Sequence, residues 1–424
     1  MKPLSLSHGN RAPSEDVAQN AGAPLDRRKD NLTLPMPHLV PFFLTLLSLI
    51  IVGVPSRPLS NAHGARADLV VHEWGTFTSV TGQDGRTLVW RPLTVESDLP
   101  SFVYSVDRGD TWRGLRYPSK SGLTVKVRME TPVLYFYAAE DATVKVRVRF
   151  PGGRITEWYP QAQSAGGGGI DWGELRVMPR SHVGLPHDFR DNHYYPARET
   201  DAALVQIHNA EQPEHEKFLF YRGVGAFDLP LSVRLQGNRV VVKKSLQANV
   251  RQVVLFENRG GNIGFQIVDM SKTEVSVDRP VLDLKLPELR QEMKTMLIAD
   301  GLYEKEADAM LNTWRDSWFE EGLRVFYLMP RNTTDAILPI DIEPQPAVLV
   351  RVLVGRTEII TPEMEESVAD QISNLSEHSA SRKAGLKEMR KYGRFLESIL
   401  TEILRHTTDL HLKVEVKRVL DEIN

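Results

Sequence analysis

Histidine is unevenly distributed in this chain. Five of the 12 histidines, His182, His187, His193, His208 and His215, fall within residues 182–215 of a 424-residue sequence, where the average density supplies roughly one. Asp188, Asp191, Tyr194, Tyr195, Arg198, Glu199 and Asp201 lie among them, in and after the loop-like stretch 186–195. Imidazole and carboxylate bind zinc, manganese or iron, and the same groups act as general bases and acids. The chain contains no cysteine, so a metal site here must be built from His and carboxylate. The spacing matches no metal signature and names no cofactor. Three readings therefore stand: a metal site, a polar ligand or catalytic site without metal, and a structural loop.

A second concentration is Val70-Val71-His72-Glu73-Trp74-Gly75-Thr76-Phe77-Thr78. His72-Glu73 begins a zincin pattern, as does His215-Glu216, but Thr76 and Leu219 stand where the second His is required, so neither can hold zinc from one helical face. As a strand, the segment puts His72, Trp74, Thr76 and Thr78 on one face and Glu73 on the other. Its two readings are a half-buried strand with a hydrogen-bonded His, or a strand facing a ligand. Trp74, Trp90, Trp112, Trp158 and Trp172, five of the seven tryptophans, lie in the first half. Exposed, Trp112, Trp158 or Trp172 would make stacking platforms for a glycan. Buried, they would fill a core.

The elements that position these residues follow from periodicity. From Asp68 to about 286 the dominant period is two: Leu123 to Met129 alternates with charge, and so does Val144 to Phe150, with Pro151-Gly152-Gly153 reading as a hairpin turn and 154–159 as its return strand. Val133 to Tyr137 is apolar on both faces and reads as central. Gly166–Gly169 lacks the Lys-Ser/Thr of a phosphate loop and reads as a flexible loop. Beyond Pro287 the period becomes 3.6, with Thr361-Pro362-Glu363 a helix start and one apolar stripe from Leu386 to Ile403. The expected fold class is α+β. A β-sandwich-like antiparallel half (68–286) is followed by a mainly helical half (287–424) with a few strands, packed on the β-rich part.

Residues 1–67 read as an address. The basic cluster Arg27-Arg28-Lys29, the apolar run 39–54 and Ala65-Arg66-Ala67 make a secretory signal, with cleavage expected before Asp68. The destination is the periplasm or the extracellular space, with no stable membrane span after removal. An uncleaved 39–54 segment tethered to the inner membrane is the alternative. A net charge of −3, from 52 basic and 55 acidic residues, excludes a strongly basic nucleic-acid binder. Without cysteine, disulfide scaffolds, thiol enzymes, iron–sulfur proteins and lipoproteins are excluded as well.

The blocks at 71–80 (Val-His-Glu-Trp-Gly-Thr-Phe-Thr-Ser-Val), 128–137, 217–223 and 316–322 resemble those of a group of exported bacterial proteins of no assigned function. The resemblance covers the mature chain and implies export and one co-folded architecture, and no activity. The expected function is a noncatalytic envelope or extracellular protein that binds a glycan or peptide through the β-rich half, with His72, Trp74, His187, Asp188, His193, Tyr194 and Arg198 as ligand-binding candidates. The alternative is an exported hydrolase using residues 182–215. In it, His193 would be base or metal ligand, and Asp188 or Asp201 its carboxylate partner.

Overall fold

The computed structural model describes residues 66–93, 99–106, 122–188, 192–375 and 379–423. The expected signal segment up to residue 65, Trp112 and Asp191 lie outside the described residues. The first strand, β1 (Arg66–Thr81), starts two residues before the expected mature N-terminus, with the Arg66 amide on the Gln345 carbonyl at 2.9 Å.

Alternation of apolar and charged residues builds the strands of the first half. After the short β2 (Tyr104–Ser105) and β3 (Val127–Tyr137) comes β4 (Ala142–Tyr159), whose Val144, Val146, Val148 and Phe150 are buried while the residues between them are exposed. The expected hairpin at Pro151-Gly152-Gly153 does not form. The chain runs on as one strand, pairing with β5 (Ser164–Met178) as far as Arg154 and, from Gly153, with β8 (Leu219–Gly225). Arg154 to Tyr159 buries its apolar side better against the fully buried β8 than folded back on itself. The glycine run 166–169 is no loop either; it lies in β5, opposite Arg149, Phe150 and Arg154. Short strands β6 (Leu204–Ile207) and β7 (Glu214–Glu216) extend that edge, and β9 (Leu231–Gln236), β10 (Arg239–Lys244), β11 (Gln252–Arg259), β12 (Asn262–Asp269) and β13 (Glu274–Asp278) follow.

The second half alternates helix and strand. Pro287 and Glu288 open α1 (Leu286–Ala299), and α2 (Glu304–Thr313) starts where the Tyr303 amide donates to the Glu306 carboxylate at 2.7 Å. Then come β14 (Gly322–Leu328), α3 (Arg331–Ile337), β15 (Ile340–Glu343) and β16 (Pro346–Ile359). The Thr361 hydroxyl caps α4 (Pro362–Ser373) by accepting the Met364 amide at 3.3 Å. The apolar stripe read as continuous from Leu386 is broken at Gly393, whose φ of 52° separates α5 (Ser379–Met389) from α6 (Leu396–His406); α7 (Leu410–Ile423) ends the described chain.

The protein is thus mixed α and β, with helices in the C-terminal part, and its strands are not clearly a sandwich. Thirteen strands form one sheet in the order β12-β11-β14-β16-β1-β3-β8-β4-β5-β6-β7, with β15 and β2 also on β4, beside a three-stranded sheet β13-β10-β9. Two strands from the second half, β14 and β16, stand in the middle of this sheet. β16 lies parallel to β1, whereas the other pairings are antiparallel. Period two specifies which residues face the core but not which strands become neighbours. Helices α1 and α2 cover Trp74, Val133, Tyr135, Phe256, Phe326 and Val352 on one face. Val71, Phe77, Leu134, Val146, Trp172 and Val242 belong to the core of the opposite face. Helices α4, α6 and α7 gather over Val80, Trp90 and Ile360. Among the described residues, no helix is long and apolar enough to cross a membrane.

Candidate functional site

The described residues of the histidine-rich segment run as loop with one 3-10 turn, Tyr195–Arg198, against α2, and then enter β6 and the start of β7. His187, Asp188 and Arg198 gather on Tyr195, Arg198 and Tyr194 share Glu216, and His193 turns to α2. His187 is exposed and stacks on Tyr195, ring centroids 4.2 Å apart at 10°. The Tyr195 hydroxyl accepts the Asp188 amide at 2.7 Å and donates to its carboxylate at 3.0 Å, and Asp188 also accepts the Ser101 amide at 2.7 Å. His193 donates from Nδ1 to the Thr313 carbonyl at 2.6 Å. Arg198 forks onto Glu216, Nη2 to Oε2 at 2.6 Å and Nε to Oε1 at 3.0 Å, and the buried Tyr194 hydroxyl donates to the same carboxylate at 2.9 Å. Burial pushes the Glu216 carboxyl up, against the pull of Arg198. His182 and His208 are exposed, Asp201 pairs with Lys305 at 2.5 Å, and His215 meets Gln206 at 2.8 Å. Burial, and then His208, pushes the His215 imidazole down. Among the described residues, no three His, Asp or Glu side chains are placed to share a metal ion. The segment ties β7 and α2 together, and Arg198, Tyr194 and Glu216 are its clamp.

His72 and Trp74 lie on the helix-covered face, and Glu73 points the other way, as the period of two requires. His72 is buried, its Nδ1 2.8 Å from Glu306 Oε2, and packs with the rings of Tyr137 and Tyr303, which also meet each other. Glu306 also accepts the Tyr137 hydroxyl at 2.9 Å. Trp74 is fully buried against Tyr135. Trp172 is buried too, donating to the Pro160 carbonyl at 3.2 Å, while Trp158 is half-buried and lies 17° from the plane of Tyr104.

Beyond Trp74 the same face becomes polar. Thr76 stands opposite Glu130, Thr78 between Arg128 and Arg356, and Glu358 opposite Arg324, all buried or nearly so. Glu358 joins Arg324 (Nε–Oε2, 2.8 Å) to Arg356 (Nη2–Oε2, 2.9 Å). Arg356 reaches Glu320 at 2.8 Å, and Arg394 reaches Glu130 at 2.5 Å. Sequence reading missed this network, although Arg128, Glu130 and Glu320 sit in the distinctive blocks; a charge inside an apolar run was its available sign. The register of β1 on β3 shifts at Gly75, where an added Cβ would lie 2.9 Å from Pro132 Cα, and Thr131 there has φ +49°. A bulge with a strained residue keeps Trp74 and Thr76 on one face despite the extra residue in β3.

Burial pushes the Glu320 carboxyl up, but Arg356, Arg394 and Arg324 together hold it below the ordinary range. Its contribution to stability is therefore present above the unfolded carboxylate range and is lost as pH falls through its folded value. Glu320→Gln should narrow the urea midpoint gap to wild type between about pH 6 and about pH 3. A constant gap would show that Glu320 is not the titrating group.

The third feature is a step in the sheet. β14 pairs with β16 only up to Leu328 opposite Val354, with the Met329 amide on the Leu353 carbonyl at 2.7 Å, while β16 continues along β1 back to Pro346. Among the described residues no strand covers β16 on that side from Pro346 to Val352. Backbone groups alternate sides along a strand. Leu353 faces the step, and so does Leu349, whose carbonyl accepts Arg331 Nη1 at 2.8 Å; Arg351 between them faces it too. The step opens into a cavity of about 730 Å³ whose walls include the end of α1, the start of α3 and Leu349, Val350 and Arg351.

No protein-family model matches the chain, and no curated protein sequence matches it. Among solved structures, the Fcho1 Mu homology domain of Danio rerio with bound Eps15 peptide aligns over 70% of this chain and 99% of its own, at 6% identity and a TM-score of 0.28. The yeast delta-COP-I mu-homology domain aligns over 69% of this chain and 97% of its own, at 7% identity and a TM-score of 0.26. At these scores the likeness carries no argument about fold or function.

Proposed function

We propose that this is an exported, noncatalytic binding protein that takes an extended peptide as an added strand on the open edge of β16. The observation that carries this reading is the step beside Leu328, where a central strand turns the backbone groups of Leu349 and Arg351 toward a cavity, the Leu349 carbonyl being held by Arg331. Unpaired edge groups are a template for another chain. Peptide is favoured over glycan because these groups match a backbone. The hydrolase alternative finds no assembled centre in residues 182–215, where His187, Asp188, His193, Arg198 and Asp201 are engaged in ring stacks, ion pairs and hydrogen bonds and His182 and His208 stand exposed. Export is supported by the signal-like residues 27–67 and by the resemblance of the four blocks.

The edge can be tested without disturbing the fold. Leu349→Pro removes an amide that faces the step and leaves the ladder to β1, which uses the alternate residues. Decapeptides selected from a random display library on the purified protein should bind wild type and Leu349→Ala but lose about tenfold or more on Leu349→Pro. Equal binding to the proline variant would sink the reading.

A further inference from the structure

We infer that the peptide taken at this edge is selected by apolar side chains at alternate positions, those on its α1 side. The inference rests on the strand-addition reading and deepens it. A strand added beside β16 sends successive side chains to opposite faces, each onto the face of the β16 residue it opposes. Uncovered positions 347–351 span about 17 Å at roughly 3.3 Å per residue, room for about five residues. A standard interface between folded proteins takes about 20–30 residues a side, so this edge suits a single extended chain rather than a second copy.

Side chains opposite Val348 and Val350 fall on the helix-covered face, where Val350 pairs with His72. On that side Met296 and Ala299 of α1 line the cavity with Leu328 and Val350. Met296, Leu328 and Val350 are half-buried and rest on the core beneath α1 and α2. Val348, on the same face by the period of two, keeps 47% of its surface exposed. Met293, Leu297, Phe326 and Val354 stand behind Met296 and Leu328, all buried. Two side chains of an added strand therefore leave water for an apolar wall. An aliphatic group there favours binding, whereas a hydroxyl gives up its hydration for nothing. Methionine is unbranched and adapts its shape, so Met296 admits apolar side chains of different size.

Charge adds little to the selection. Burial pushes the Asp300 carboxyl up, and Arg251 on the same cavity wall opposes that rise, so these two charges answer each other. On the other face the Arg351 side chain is fully buried on Glu73 and Asp335. Arg331 shares Asp335 at 2.8 Å while holding the Leu349 carbonyl. With these charges paired, the apolar wall is what distinguishes one extended peptide from another.

Two labelled decapeptides, one alternating Val-Ser and one alternating Thr-Ser, test the inference by fluorescence anisotropy on the full purified chain. Valine and threonine are both β-branched and both favour strands, so the comparison isolates the apolar contact. The valine peptide should bind about tenfold tighter. Met296→Gln keeps an unbranched helix former and should shrink that gap. Leu349→Pro should weaken both peptides about tenfold or more. If the two peptides bind alike, or Met296→Gln leaves the gap unchanged, and Leu349→Pro still weakens them, the apolar selection is overturned while strand addition stands. If binding ignores Leu349→Pro, or neither peptide binds, both readings fall. A peptide-free dimer in sedimentation that Leu349→Pro dissociates would make a second copy the occupant and overturn the inference.

Discussion

Glu358→Ala is expected to cost about 3–5 kcal/mol of folding stability, the range for breaking a buried pair by removing one partner. Glu358 holds Arg324 and Arg356, all three essentially inaccessible to water. Its loss leaves two buried guanidinia with less negative charge than they were folded around, and burial already pushes the Arg324 guanidinium down. Arg324 keeps the carbonyls of Trp318, Glu320 and Glu321, all within 2.8 Å, and Arg356 keeps Glu320, so the loss should not exceed that range. Gly322 shows how tightly the site is closed. At φ +134° it has no room for a Cβ, which would lie 2.4 Å from Glu358 Oε1. Urea unfolding of the variant measures the effect. A cost below about 1 kcal/mol would mean the pair is hydrated like a surface bridge. Replacing Arg324, Arg356 and Glu358 together by apolar residues should recover part of the loss, since desolvation of the ions would be removed with them.

Trp74→Ala is expected to cost about 3–5 kcal/mol as well, through a different mechanism. Trp74 pairs in register with Val352 on one side and Val133 on the other and lies against Tyr135, under the helices. Truncation removes an indole from a closed core that cannot collapse onto the space, because the Gly75–Pro132 approach fixes the strand spacing there. Trp74→Phe should lose appreciably less. Equilibrium unfolding gives both values, and peptide binding at the β16 edge should be unchanged in folded Trp74→Phe. A Trp74→Ala variant of wild-type stability would show that the indole is not a core residue.

Much of the local structure was legible. Alternation located β1 and β4, alternation and an all-apolar run together located β3, and Pro287 and Thr361 marked two helix starts. The opposite orientations of His72 and Glu73 follow from a period of two. The breaks were less legible for a physical reason. Pro151-Gly152-Gly153 carries the composition of a turn, yet the chain continues straight because the partner of Arg154 to Tyr159 is β8, distant in sequence. Gly166–Gly169 has the composition of a loop, yet pairing with β4 makes it strand. Gly393 interrupts a stripe that its neighbours would continue.

The histidine cluster marks the limit most clearly. Composition alone brought His187, His193, Asp188 and Arg198 into one short segment, but nearness along a chain is not convergence of side chains. Arg198 and Tyr194 turn inward to Glu216, His187 outward onto Tyr195, and His193 toward α2. By itself the sequence determined which face the alternating strands such as β4 turn to the core, because apolar burial follows periodicity, and it determined that no cysteine chemistry operates. Only the tertiary structure decided that β16 lies parallel to β1 and overhangs β14, and that four arginines and three glutamates from distant segments form one buried network. Strand order and charge pairing are set by contacts between residues far apart in the chain, about which a local pattern carries no information.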